Sequence, residues 1–327
     1  MKIAILTYNL GMNYGGIIQA YALIQTLKNL GHEPELLYIK STEKRNWKWL
    51  VKKYILSNFL KKYNSVKYED KIYIHLYDFI DKYIKKTDPL NTTKDFVNIT
   101  KNNYEAYIVG SDQVWRARTF SQINHAFFGF VSSNQPIFLS YAASFGVQNW
   151  DYTVEETLKF REQIKRFKAV SVREDSAVPL CMKYFNKDAI HVLDPTMLLA
   201  ASEYRELVRR ENEPKHNGKL LNYILDNNKQ KKELIDLVSS ELNIQPFKVN
   251  ADVSSSWRVK DMIYPTLTSW LKGFDDAEYV ITDSFHGCVF SIIFNKKFIA
   301  WGNSRRGLAR FKSLLKLFGL EDRLILG

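Results

Sequence analysis

The chain has 327 residues, 46% hydrophobic and 25% charged, which is the balance of a soluble globular protein long enough for about two domains. This excludes a disordered chain, a fibrous repeat and a disulfide-stapled mini-protein. The only cysteines, Cys181 and Cys288, have no metal-ligand spacing, so no metal site is read and a reducing compartment is expected.

The opening Met1-Lys2-Ile3-Ala4-Ile5-Leu6-Thr7 is too short for a signal peptide and runs directly into turn residues. It reads as a first buried strand. No apolar stretch approaches the ~18 residues that span a bilayer, and a cytoplasmic protein is expected. Further strands are predicted over 35–39, 106–110, 137–142, 169–173, 190–193, 220–225, 246–249, 279–282 and 298–301. Most are apolar throughout, as in parallel sheets covered on both faces. Helical patterns over 17–30, 154–167, 229–242 and 289–294 lie between them. The fold class is α/β, with two Rossmann-like domains facing a cleft. The polar helix containing residues 203–213 and the loop 212–218 put the boundary at residue 200, dividing the chain into 1–200 and 201–327. Ligands of such sheets bind at the carboxyl ends of the strands.

Those ends carry the chemistry. The first strand leads into Asn13-Tyr14-Gly15-Gly16 and a helix holding Gln19. Glycines there admit either a ligand near the helix N-terminus or simply a tight turn. The spacing is neither the dinucleotide fingerprint nor a P-loop. The third strand ends in Gly110-Ser111-Asp112-Gln113, which reads equally as a binding cluster or as a helix cap. Ser171-Val172-Arg173-Glu174-Asp175 delivers a guanidinium suited to a carboxylate or phosphate, unless Glu174 or Asp175 pairs with it. The sharpest cluster is Thr282-Asp283-Ser284-Phe285-His286-Gly287, which closes a strand and opens a helix. It places His286, a natural proton-transfer group, at the helix start. A helix N-terminus disfavours imidazolium, so a bound anion would have to hold the charged form. His32, His75, His125, His191 and His216 have no comparable setting. Arg305, Arg306 and Arg310 read either as phosphate ligands or as solvated surface.

These blocks, with Gln19-Ala20-Tyr21-Ala22-Leu23, Val114-Trp115, Tyr141-Ala142-Ala143-Ser144-Phe145-Gly146 and Asp194-Pro195-Thr196, resemble the polysaccharide pyruvyl transferase family in kind and order. The resemblance covers almost the whole chain. It implies an architecture similar to GT-B glycosyltransferases. The implied reaction moves pyruvate from phosphoenolpyruvate onto two hydroxyls of a sugar, forming a cyclic ketal in a cell-surface polysaccharide precursor. Phosphoenolpyruvate is then a substrate, and no cofactor is expected. Residues matching His286 and Arg173 serve the donor site in the family. Asp112 is the candidate base, and Asn13, Tyr14, Gly15, Gly16, Gln19, Ser111, Gln113, Ser284, Phe285, Gly287 and Arg306 are expected to line the substrates. The rival reading is a nucleotide-sugar glycosyltransferase, because fold does not fix function.

Charge adds one expectation. The net charge is +12, and the window from Lys40 to Tyr68, with nine basic residues and only Glu43 as acid, supplies +8 of it. Trp47, Leu50, Val51 and Tyr54 recur there at helical spacing among Lys44, Lys48, Lys52 and Lys53. Such a helix either lies on an anionic membrane, near a sugar carried on a lipid diphosphate, or packs on the first domain with its lysines solvated. The membrane reading makes the protein peripheral on the inner face of the cell membrane. The window lies apart from every strand-tip motif, so a nucleic-acid partner is not expected.

Overall fold

Short runs of β-branched and aromatic residues form two parallel sheets. The computed structural model describes residues 1–11, 13–39, 68–120, 123–251, 258–302 and 307–326. The basic residues from Lys40 to Lys67, and Arg305 and Arg306, lie outside them.

The first sheet contains β1 (Lys2–Leu6), β2 (Glu33–Leu36), β3 (Ala106–Val109), β4 (Ile137–Ser140) and β5 (Phe167–Ala169), in the order β2-β1-β3-β4-β5. A separate parallel pair joins β6 (Ser171–Val172) to β7 (Ile190–His191). The second sheet contains β8 (Leu220–Tyr223), β9 (Pro246–Phe247), β10 (Tyr279–Thr282), β11 (Lys297–Gly302) and β12 (Leu324–Leu326), in the order β12-β11-β10-β8-β9. Every strand pair among the described residues is parallel, with registers such as Ile5 opposite Ile108 and Val280 opposite Phe298. This is the α/β architecture of two Rossmann-like domains expected from the sequence.

Several elements differ from their predicted bounds for local reasons. The run 169–173 is two strands: β5 pairs with β4, and β6 turns to pair with β7. β2 begins at Glu33 and tolerates Pro34 because it is an edge strand. The first helix, Tyr14–Asn29, begins before residue 17 because the Asn13 side chain accepts a hydrogen bond from the Gly15 amide. Ser284 caps the helix Phe285–Ile293 in the same way, so that helix opens four residues before 289 and takes His286 into its first turn. The helix Lys229–Leu242 matches its predicted span, held between an Asn228 cap and a left-handed Asn243.

Side-chain alternation distributes the core. Ile3 and Ile5 of β1 face an apolar layer that continues through Ile17, Tyr14 and Trp270 to Leu221 of β8 and Val280 of β10. Ala4 and Leu6 point to the opposite layer, with Trp115, Phe127 and Phe160. Tyr14 stacks on Trp270 at 5.3 Å and donates to the Pro265 carbonyl at 2.7 Å. The helix that follows β1 is therefore packed directly against the second domain. That contact sets the site.

Candidate active site

The tips of β1, β3, β4, β6, β7 and β10 meet at the junction of the two sheets. Bridges from Asp112 to Ala143 and from Ala143 to Val172 continue the pairing beyond β3, β4 and β6. Asp112 adopts φ +71°, a left-handed turn that no helix follows, so the alternative reading of a helix cap does not apply there.

Arg173 is fixed by two carboxylates. Its terminal nitrogens lie 3.2 Å from Asp112 Oδ1 and 2.8 Å from Asp194 Oδ2. Neither Glu174 nor Asp175 holds it. Glu174 instead accepts from the Phe145 and Gly146 amides at 2.8 and 2.9 Å, and Asp175 pairs with Ser313 of the second domain. Phe285 packs against the same guanidinium, its ring centroid 4.8 Å from Arg173 Cζ and 5.5 Å from Arg310 Cζ. One aromatic ring thus lies within cation–π distance of two guanidiniums.

His286 enters from the second domain. Its Nε2 lies 3.6 Å from Asp194 Oδ2, an ion-pair distance beyond that of a good hydrogen bond. Its ring rests on Gly15: a Cβ added there would lie 2.0 Å from Nδ1, 2.5 Å from Cγ and 2.7 Å from Cε1. Only glycine allows this approach.

The electrostatics follow from burial against charge. Arg173, Asp112, Asp194, His286 and Arg310 are all buried. Burial pushes the Asp112 carboxyl up, but the charges of Arg173, His286 and Arg310 outweigh it and hold the group below the usual carboxylate range. Asp194 is likewise pushed up by burial and pulled further down by His286 and Arg173. Burial lowers the Arg310 guanidinium to about 10, with the like charge of Arg173 adding to the effect. The solvated-surface reading of Arg310 is therefore wrong, because the side chain is inside.

Other predicted residues have specific places. Gln19 is fully buried and its Nε2 donates to Thr7 Oγ1 and the Gly16 carbonyl, bracing the β1 tip. Tyr14 is spent on Trp270 and Pro265 in the junction. Gly16 leaves ordinary contact with Asp112 Oδ2, at 3.7 Å from an added Cβ. Ser111 donates to Asp194 at 3.1 Å. Gln113 accepts from Arg116 and lies against Gly146. Gly287 gives room to Thr282, 2.1 Å from where a Cβ would stand. Asn13 is exposed beside its cap. Arg306 lies outside the described residues. The sequence reading missed the chemistry of Asp194 and the bond from His191 Nε2 to the Arg173 carbonyl, 3.1 Å. An acid closing an apolar run and followed by Pro195-Thr196 was the available signal for Asp194. Among the described residues no helix is long and apolar enough to cross a membrane, and no cluster of acids, histidines and cysteines could hold a metal ion.

Two Rossmann-like domains with a buried histidine, two arginines and two aspartates at their junction define a GT-B-like enzyme scaffold. Similar folds occur in the UDP-GlcNAc 2-epimerase of Methanocaldococcus jannaschii (TM-score 0.54, 12% identity, covering 100% of this chain and 89% of that one). MnaA of S. aureus, solved with UDP, is also similar (TM-score 0.51, 11% identity, 98% and 90% covered). At such identities the likeness is one of fold. Comparison with curated proteins finds no match. The polysaccharide pyruvyl transferase family model matches residues 13–305, and the chain belongs to that family.

Proposed function

We propose that the protein transfers pyruvate from phosphoenolpyruvate to two hydroxyls of a sugar, forming a cyclic ketal and releasing phosphate. The observation that carries this reading is His286, seated on Gly15 across the domain junction and beside Asp194 and the Arg173–Asp112 pair. The imidazolium of His286 donates a proton to the donor's methylene carbon, and positive charge develops at the adjacent enol carbon. One sugar hydroxyl attacks that carbon and passes its proton to Asp112. Phosphate then leaves with the bonding electron pair, and the second hydroxyl attacks the same carbon to close the ketal, losing its own proton. Arg173, whose Nε has no hydrogen-bond partner among the described residues, meets the donor's carboxylate or phosphate, and Arg306, in the same sequence run as Arg310, is assigned to help it. Asn13, Tyr14, Gly15, Gly16, Gln19, Ser111, Gln113, Ser284, Phe285 and Gly287 shape the pocket, several of them from behind.

In this reading residues 1–200 hold the acceptor and residues 201–327 carry the Ser-Phe-His-Gly motif. The basic residues between Lys40 and Tyr68 support an acceptor on a lipid diphosphate, met at the inner face of an anionic membrane. The test is incubation with phosphoenolpyruvate and a panel of lipid-linked or activated sugars, followed by mass spectrometry and phosphate assay. Phosphate released together with a pyruvylated sugar, without any nucleotide sugar, is the expected result. Turnover only with a nucleotide sugar would replace the reading with glycosyl transfer.

A further inference from the structure

Asp194 distributes two oxygens among donors from four parts of the chain. Its Oδ1 accepts from the Thr196 amide at 3.1 Å and the Thr196 hydroxyl at 2.8 Å. Its Oδ2 accepts from Ser111 Oγ and Arg173 and faces His286 Nε2 at 3.6 Å. The carboxylate is fully buried and cannot rotate without breaking bonds to three loops. Gly15 lies beneath the imidazole near its Nδ1 corner; the added Cβ, 2.0 Å from Nδ1, is only 2.5 and 2.7 Å from Cγ and Cε1, too close to both for an in-plane approach, so the contact lies over the ring face. Nε2 thus faces Asp194 without a hydrogen bond of normal length, while Nδ1 keeps its in-plane direction clear of Gly15.

We propose that Asp194 is a positioning residue that holds the proton on His286 Nε2, leaving Nδ1 as the nitrogen that exchanges a proton with substrate. The partner of one ring nitrogen decides the tautomer of the other, and hydrogen bonds that are long without ligand tighten when it binds. Arg173 and Asp112 complete the charged surroundings of this pair, with Arg310 also against the Phe285 ring. The proposal rests on the assignment of His286 as the proton-transfer group, but its first test does not need turnover.

That test is nitrogen NMR on the whole protein labelled in its histidines, with the His286 signals assigned by their loss in His286→Gln. The neutral ring is expected as the Nε2–H tautomer, with Nδ1 the nitrogen that gains and loses the proton on titration. A neutral ring protonated on Nδ1 overturns the proposal. The second test is kinetic. Asp194→Asn should lower kcat by about 100-fold or more, as expected when a histidine loses its orienting acid, while KM for the donor changes by far less. Thr196→Val, which removes one bond to Oδ1 and no charge, should leave most of kcat. Equal losses in kcat and donor affinity for a folded Asp194→Asn would make the residue structural and refute the assignment. If the wild type fails to use phosphoenolpyruvate at all, the functional reading falls, while the NMR result still decides the tautomer.

Discussion

Gly15→Ala isolates the contact between the domains. Gly15 lies in the first turn of the helix Tyr14–Asn29, where alanine is favoured over glycine by up to about 1 kcal/mol. Local propensity therefore predicts a stabilised protein. The opposing term is the new Cβ, 2.0 Å from His286 Nδ1 and within 2.7 Å of three ring atoms. The ring cannot absorb this by bending. Its other nitrogen faces Asp194, and the adjacent Phe285 packs against two guanidiniums. Overpacking of that kind costs roughly 1–3 kcal/mol, so the single variant should be destabilised by about 0–2 kcal/mol. A 1 Å displacement of a reacting group costs about 100-fold in rate, and turnover should fall accordingly. The decisive measurement is a double-mutant cycle by thermal or denaturant unfolding. In a His286→Ala background the clash is gone, and Gly15→Ala should become neutral or stabilising, giving a coupling of about 1–3 kcal/mol. If Gly15→Ala raises the melting temperature, keeps normal turnover and shows no coupling to position 286, the junction does not close as described.

His286→Gln should retain the fold and lower turnover with phosphoenolpyruvate by about 100-fold or more, measured by phosphate release; a wild-type rate refutes its role as the acid. Asp112, with its carboxyl depressed in the folded state, contributes stability above the unfolded value of ~3.9 and loses it as pH falls through the depressed value. The melting temperature of the wild type should therefore drop from about pH 4 downwards, and Asp112→Asn should flatten that acid limb while being less stable at neutral pH; an unchanged slope refutes the charge assignment. Arg173→Lys keeps one charge but cannot span two carboxylates with a planar fork, and disrupting buried pairs of this kind costs up to about 3–5 kcal/mol; calorimetry should show both a lower melting temperature and weaker donor binding. Anionic liposomes should co-sediment the wild type at low salt but not a variant with Lys48, Lys52, Lys53, Lys61 and Lys62 changed to Glu; equal binding, or none by either, removes the membrane role.

The elements legible in the sequence were those specified by neighbouring residues. β10 is a four-residue apolar run stopped by Asp283, and the helix Lys229–Leu242 has an asparagine at each end. The break between β5 and β6 was not legible, because it depends on which strand residues 171–172 find as a partner. The site divides in the same way. His286, Arg173 and Asp112 were visible as polar residues closing buried runs, a pattern carried by the local sequence. Their mutual pairing was not, since it requires two sheets to meet. The likely-looking neighbours Glu174 and Asp175 lost Arg173 to Asp194 because amides of the β4 loop claim one and Ser313 the other. Tyr14 shows the converse: adjacent to the glycines in sequence, it points into the apolar layer and bonds to Pro265.

Burial has a consequence for how such a site can work. His286, Arg173, Asp112 and Asp194 are each 6% exposed or less, so the donor and sugar of the proposed reaction would reach them only if the contact between Gly15 and His286 opened. Such opening would run along the layer through Tyr14 and Trp270, where the first helix packs against the second domain. Opening also changes the electrostatics. Withdrawal of the second domain takes His286 and Arg310 away from Asp112 and Asp194, leaving Arg173 alone with two carboxylates and little attraction for an anion. Closure brings two cations back to the same place. In the proposed reaction anion binding and domain closure would therefore be coupled through charge: a negative donor would neutralise what the closed arrangement concentrates, each favouring the other. A glycine at position 15 sets how far that closure goes.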